Sequence, residues 1–195
     1  MSSREKILQS IKQNRPNLVP LPALSTFDVE WDLTSKFIET LTGIGGMCTM
    51  ANGFEPVKEY ILEQQAKGLS VIQGVTELED YNLNTYSHSH ASDVETIDTV
   101  LINGHIAVAE NGAIWVREKD ILNRLLPFIC QNLVIVINED DVVANMHKAY
   151  EKITIDEDGY GVFIAGPSKT ADIEQSLVIG AHGPLSLKVF IVQGK

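Results

Sequence analysis

The run Leu133-Val134-Ile135-Val136-Ile137 sets the tightest limit on how this chain can fold. These aliphatic, mostly β-branched residues offer no polar face to water, so the segment reads as a strand buried on both sides. Such a strand needs a covering layer above and below it. The rest of the sequence supplies those layers by alternation. A helical segment over 34–41 is followed by a short strand at 47–50, a helix over 55–66 and a strand at 69–72. After a polar stretch over 77–92 come apolar runs at 100–108 and 113–116, interrupted by Glu110-Asn111-Gly112. Asn-Gly predicts an antiparallel hairpin there. Beyond the central run the pattern predicts a helix carrying Val142, Val143, Met146 and Tyr150, with Asp140-Asp141 complementing the dipole at its start. Strands at 162–165 and 187–192 follow, separated by a helix over 171–178. Helix and strand taking turns predict an α/β fold, a mostly parallel sheet flanked by helices.

Ahead of this body, Ser2 or Ser3 caps a short amphipathic helix built on Ile7, Leu8 and Ile11 and ending near Asn14. Prolines at 16, 20 and 22 disfavour helix continuation and central-strand pairing. Residues 1–22 therefore read as an N-terminal helix and linker, and 23–195 as the α/β domain. The arm is free to pack on a partner chain.

With 195 residues, 44% of them hydrophobic, the chain can build a core without disulfides. Its formal charge of −11 argues against nucleic acid and anionic membrane surfaces, whose binders cluster Lys and Arg. Cys48 and Cys130 stand too far apart in sequence for a C-x-x-C pair, so the chain is expected to bind no cofactor, zinc ion or iron–sulfur cluster of its own. No apolar run approaches membrane-spanning length and the N-terminus lacks the pattern of a leader, so the expected location is the cytoplasm, without membrane insertion.

Chemistry-bearing residues gather at three turns. Gly166-Pro167-Ser168-Lys169-Thr170-Ala171-Asp172 follows a strand, where α/β proteins build sites. Gly166 lets backbone approach a ligand, Ser168 or Thr170 can cap the expected helix, and uncapped N–H groups with Lys169 favour a carboxylate or phosphate. Asp172 and Glu174 weigh against a highly charged anion, and a plain capped turn is an equal reading. Gly180-Ala181-His182-Gly183-Pro184 holds His182 on a constrained loop, as an acid, a base or a hydrogen-bonded structural residue. Glu110 sits at a turn between apolar strands, either a base or nucleophile or a solvated turn residue. Ser87-His88-Ser89-His90 would put two imidazoles on one side of an extended segment, but its polar flanks favour an exposed loop over a metal site.

Taken together, 106–112, the Asn123-Arg124-Leu125-Leu126-Pro127 stretch, and 166–174 with 180–184 resemble the lactate-utilisation (LUD) domain, specifically its protein C group. The likeness runs from about residue 98 to the C-terminus, and Arg4 to Ile11 is similar to that group's opening helix. The resemblance implies the fold of the superfamily of ribose-5-phosphate isomerase, glucosamine-6-phosphate deaminase and coenzyme A transferase. It also implies bacterial oxidation of L-lactate to pyruvate beside companion subunits that carry iron–sulfur clusters. The family usually has Thr where this chain has Asn111.

Three functions are open on this footing. The first is an accessory subunit of lactate oxidation with an anion-binding loop at 166–172 and no redox centre of its own. The second is a stand-alone enzyme acting on a sugar phosphate or acyl-coenzyme A. In it Glu110, Lys169 and His182 are catalytic, and Asn111, Gly112, Gly166, Ser168, Thr170, Asp172 and Gly183 bind ligand. The third is a regulatory or scaffold protein. No spacing in the chain, read without the resemblance, points to lactate.

Overall fold

The computed structural model describes residues 2–17, 19–20, 29–78, 90–154, 159–171 and 177–194. In chain order its elements are α1 (Ser3–Gln13), α2 (Leu33–Gly43), β1 (Met47–Asn52), α3 (Glu55–Ala66), β2 (Val71–Gly74), α4 (Ala91–Val94), β3 (Thr99–Asn103), β4 (Ile106–Val108) and β5 (Ala113–Arg117). They continue as α5 (Leu126–Ile129), β6 (Asn132–Asn138), β7 (Val142–Val143), α6 (Met146–Lys152), β8 (Gly161–Ile164), β9 (Lys169–Ala171), β10 (Leu177–Ile179) and β11 (Ser186–Gln193).

The apolar run at 133–137 lies in β6, at the middle of a five-stranded parallel sheet ordered β1-β11-β6-β3-β2. Its side chains alternate between two cores, as the pleat requires. Leu133, Ile135 and Ile137 face one core and Val134 and Val136 the other. The second core is closed by α3 through Val57, Tyr60 and Ile61 packed with Phe190 and Val192 of β11. The first core is closed by α2, through Phe37 and Leu41, and by a second sheet of four strands, ordered β7-β4-β5-β8. The far side of that second sheet carries Ile106, Val108, Trp115 and Val143, covered by α6 through Ala149 and Met146. The layers therefore run helix, parallel sheet, smaller sheet, helix. This is the α/β arrangement expected, with one extra layer of strands.

That layer accounts for most differences from the sequence reading. The 100–108 run is two strands, β3 in the parallel sheet and β4 in the smaller one. β8 pairs antiparallel with β5 and so does not extend the parallel sheet. Val142 and Val143, expected in a helix, instead pair with Ala107 and Val108 of β4. A two-residue β-branched step between turns satisfies its backbone by a ladder more readily than by a helix. The helix begins only at Asn145, whose Oδ1 accepts the N–H of Lys148 at 3.0 Å. Asp140 and Asp141 accordingly belong to a 3₁₀ turn over Glu139–Asp141, and mark no helix start.

The expected helix over 171–178 is corrected too. Lys169–Ala171 and Leu177–Ile179 are antiparallel partners in a two-stranded hairpin, with Thr170 opposite Val178 and Lys169 opposite Ile179. Ser168 and Thr170 therefore cap no helix there. Backbone pairing of 169–171 with 177–179 outweighed the capping pattern read from Ser168 and Thr170. Asp172 lies outside the described residues, as do residues 87–89 of the Ser-His repeat. The strand expected at 69–72 begins two residues later, at Val71.

Candidate functional site

The glycine-rich segment Gly43-Ile44-Gly45-Gly46 ends α2 and makes its last turn the meeting point of the sequence motifs. Ile44 donates its N–H to Thr40 at 3.1 Å, Gly45 to Thr42 at 3.0 Å and Gly46 to Leu41 at 2.9 Å. These bonds close the helix and leave the Ile44 carbonyl directed away from it. Lys169 donates from Nζ to that carbonyl oxygen. A cation at a helix C-terminus is favoured both by the hydrogen bond and by the helix dipole.

Two glycines let the loops come this close. Gly166, at φ +74°, is so near α2 that a Cβ on it would lie 3.0 Å from the Ile44 carbonyl oxygen. Gly112, at φ +70°, would place a Cβ 3.1 Å from the Leu41 Cα. Both positions also need the left-handed conformation that side chains disfavour. The motifs around 112 and 166, distant in sequence, thus press against one helix end.

Glu110 and Asn111 form the hairpin turn between β4 and β5, whose register pairs Val108 with Ala113. Asn111 Oδ1 accepts the Ala113 N–H at 3.0 Å, a local turn closed by its own side chain. Glu110 is exposed, and its Oε2 accepts the N–H of Met146, the first residue of α6, at 3.1 Å. Its own N–H donates to the Ala144 carbonyl at 3.1 Å, and that of its neighbour Ala109 to the Val143 carbonyl at 2.9 Å. The carboxylate therefore complements the positive end of a helix.

The last two motifs also join. Ser168 donates its N–H to the Pro184 carbonyl at 2.9 Å, and its own carbonyl accepts from Gly180 at 3.0 Å. A Cβ on Gly183 would sit 3.1 Å from that of Ser168. His182 is exposed on the turn so formed. The structure thus brings together Gly112, Gly166 and Lys169 on α2, and Ser168 with Gly183. It engages Glu110 on a different helix.

Sequence reasoning missed the Ile44 carbonyl and the Met146 N–H, since backbone groups carry no residue signature. The cluster of glycines at 43, 45 and 46 was the available signal for the first. It also missed a cavity of about 240 Å³ at the C-terminal ends of β6 and β11, lined by 138–141 and 192–194. Two of its carboxylates meet amides: Asn138 donates to Asp141 at 3.1 Å and Gln193 to Glu139 at 2.9 Å.

The thiols are chemically quiet. Burial pushes Cys48 up to about 11 and Cys130 up to about 12, so both stay protonated near neutral pH, whereas metal ligands and nucleophiles need thiolate. Among the described residues no group of three or more His, Cys, Asp or Glu side chains could hold a metal ion. His90 is exposed and donates its backbone N–H to Asp93 at 2.8 Å, starting α4. No helix among the described residues is long and apolar enough to cross a membrane.

A family model for the LUD domain matches residues 34–192, which takes in α2 and every motif that meets on it. The chain belongs to the LUD domain family. Among LUD relatives, the lactate utilization protein C of Shouchella clausii is 30% identical over 118 residues, 57% of this chain and 51% of that protein. The protein of the same name from Deinococcus radiodurans is 32% identical over 107 residues, 53% of this chain and 50% of that one. This LUD chain spans about half the length of the curated relatives it matches. A crystal structure of a DUF162 family protein from Deinococcus radiodurans superposes with a TM-score of 0.60, over 82% of this chain and 96% of that one. At 16% identity it shares the fold.

Proposed function

We propose that this LUD-domain chain is an accessory subunit of L-lactate utilization, one that engages a small carboxylate and companion iron–sulfur subunits without a redox centre of its own. The likeness to several proteins named lactate utilization protein C carries the reading. Two further features support it. The only cysteines are two widely separated, buried or half-buried thiols, unsuited to ligating a cluster. The charged groups that a self-contained enzyme would use, Glu110 and Lys169, each serve a helix end.

The carboxylate is assigned to the exposed side of Lys169, in the 166–172 loop. An ammonium has three N–H donors, and the Ile44 carbonyl takes one while holding the side chain in place. The side chain is exposed, and its stem so held reduces the ordering cost of binding.

Thermal shift of the purified chain against lactate, pyruvate, sugar phosphates and coenzyme A tests the ligand, with Lys169→Ala as the control. Stabilisation follows RT ln(1 + [L]/Kd), about 2.7 kcal/mol at a hundredfold excess, so a true ligand raises the midpoint visibly. The expected outcome is a shift with lactate or pyruvate that Lys169→Ala abolishes. Affinity capture from cells growing on L-lactate tests the assembly, the expected co-purifying partner being an iron–sulfur protein. Turnover of a sugar phosphate or acyl-coenzyme A by the isolated chain would overturn the accessory reading.

A further inference from the structure

The structure leaves one complete element without a covering surface. α1 is well formed at both ends. Ser2 Oγ accepts the Glu5 N–H at 3.2 Å while Glu5 Oε2 accepts the Ser2 N–H at 2.6 Å, and Asn14 closes the C-terminus on the Ser10 carbonyl. Yet none of its residues is buried. Ile7, Leu8 and Ile11 line one stripe of the helix and stand 58%, 45% and 59% exposed. A helix of 11 residues is marginal in water by itself and needs its apolar stripe packed to persist.

Charge is segregated along the chain in the same place. Residues 2–15 hold Arg4, Lys6, Lys12 and Arg15 against Glu5, a net +3. The chain as a whole carries −11, which leaves −14 on all other residues. A cationic amphipathic arm therefore precedes a strongly anionic body. The prolines at 16, 20 and 22 in the sequence disfavour continuation of the arm as one helix into α2.

We propose that α1 docks on the anionic body of a second copy of this chain, making a reciprocal, arm-exchanged dimer. Its own body buries none of it, so the intramolecular position offers no cover. A second copy supplies the opposite charge together with exposed apolar side chains such as Met47, Leu62, Phe128 and Leu185. Exchange about a two-fold axis satisfies both arms at once. The +3 arms also offset the mutual repulsion of two acidic bodies, so the association is charge-driven and salt-sensitive.

Sedimentation velocity on the full chain tests this, over a range of concentrations and between about 50 mM and about 500 mM salt, across which the screening length shortens severalfold. The expected result is a concentration-dependent dimer that loses at least several-fold in affinity at the higher salt. Ile7→Gln with Ile11→Gln keeps helix-forming residues but removes the stripe, and is expected to give monomer with an unchanged folded body by circular dichroism. Arg4→Gln with Lys12→Gln is expected to weaken the dimer and flatten its salt dependence. A wild-type chain that stays monomeric at about 100 μM, far above the micromolar scale of specific association, overturns the proposal. A dimer indifferent to both double variants overturns it equally. Protection of α1 from hydrogen exchange in a strict monomer would place the arm on its own body, and capture by anionic vesicles with no dimer would place it on lipid. Either result also rejects the exchange.

Discussion

Lys169 and Ile44, 125 positions apart, are joined by a hydrogen bond from the ammonium to the backbone carbonyl. The bond ties the start of the β9–β10 hairpin to the end of α2 and gives the loop at 166–169 a fixed seat. Gly166 and Gly112 complete that seat by letting two backbones reach the same helical turn. The LUD motifs are thus held together by a helix end that contributes almost no side-chain chemistry of its own.

Replacing Lys169 by Met keeps an unbranched stem and removes the charge. Because the side chain is exposed, the expected cost is small, about 0.5 kcal/mol, the usual size of a cation's contribution at a helix C-terminus. Lys169→Arg is expected to retain most of it. Urea unfolding in low salt reads the difference, and added salt should narrow it.

Gly112→Ala and Gly166→Ala are each expected to lose about 2–4 kcal/mol, from left-handed backbone strain plus a Cβ pressed on the α2 backbone. Gly53 and Gly68 have the same sign of φ, at +77° and +78°, but nothing within 4 Å of a built Cβ. Their alanine variants are expected to lose only about 1 kcal/mol, the conformational part. Equal losses at all four positions in urea unfolding would show that the approach to α2 carries no energy.

Much of this fold was legible because it rests on patterns of side chains. The doubly buried β6, the helix over Glu55–Ala66 and the caps of α1 follow from periodicity and local hydrogen bonding. The edge strand β7 of the smaller sheet and the separate β9–β10 pair did not show, since Val142-Val143 and Lys169-Thr170-Ala171 are too short to display a period of their own. Only their partners in space define them as strands. The site divided the same way. Gly112, Gly166 and Lys169 could be singled out from turn chemistry, whereas what they meet, the Leu41 backbone for Gly112 and the Ile44 carbonyl for the other two, consists of backbone atoms that every residue possesses. Asn111 stood out as a departure, but its bond to Ala113 required the hairpin register to be known.

The cysteines predict an alkaline weakness. Burial raises both pKa values because the neutral thiol is favoured in the folded chain, from an ordinary 9.0 to about 11 for Cys48 and about 12 for Cys130. Between pH 9 and 11 the unfolded chain loses these protons and the native chain keeps them, so stability should fall as pH rises through that window. Well below the ordinary thiol value of 9.0, where both states keep their protons, the two thiols should contribute no slope. Cys48→Ala and Cys130→Ala, each compared with wild type by chemical unfolding across the window, are expected to flatten the decline.

Asn111→Thr is expected to change stability by less than about 0.5 kcal/mol, because a hydroxyl can accept the Ala113 N–H in the same kind of turn. Asn111→Ala removes the acceptor from a nearly buried neighbour and is expected to cost about 1 kcal/mol. If Thr proves as damaging as Ala in urea unfolding, the side chain at 111 is not serving the turn.

Glu110 offers the sharpest division between a helix-end role and a chemical one. Glu110→Gln keeps an oxygen that can accept the Met146 N–H and removes the negative charge beside α6, so the expected loss is under about 1 kcal/mol. Glu110→Ala removes acceptor and charge together and should cost about 1–2 kcal/mol, as loss of a helix cap commonly does. For an accessory subunit, Glu110→Gln should leave the lactate-induced thermal shift and the capture of iron–sulfur partners unchanged. A base or nucleophile behaves otherwise: the amide would leave folding and binding nearly intact while abolishing turnover in the assembled system. Lactate oxidation by the reconstituted complex, compared between wild type and Glu110→Gln at matched occupancy, separates the two. Activity retained within about twofold, an energetic difference well below 1 kcal/mol, assigns Glu110 to the helix.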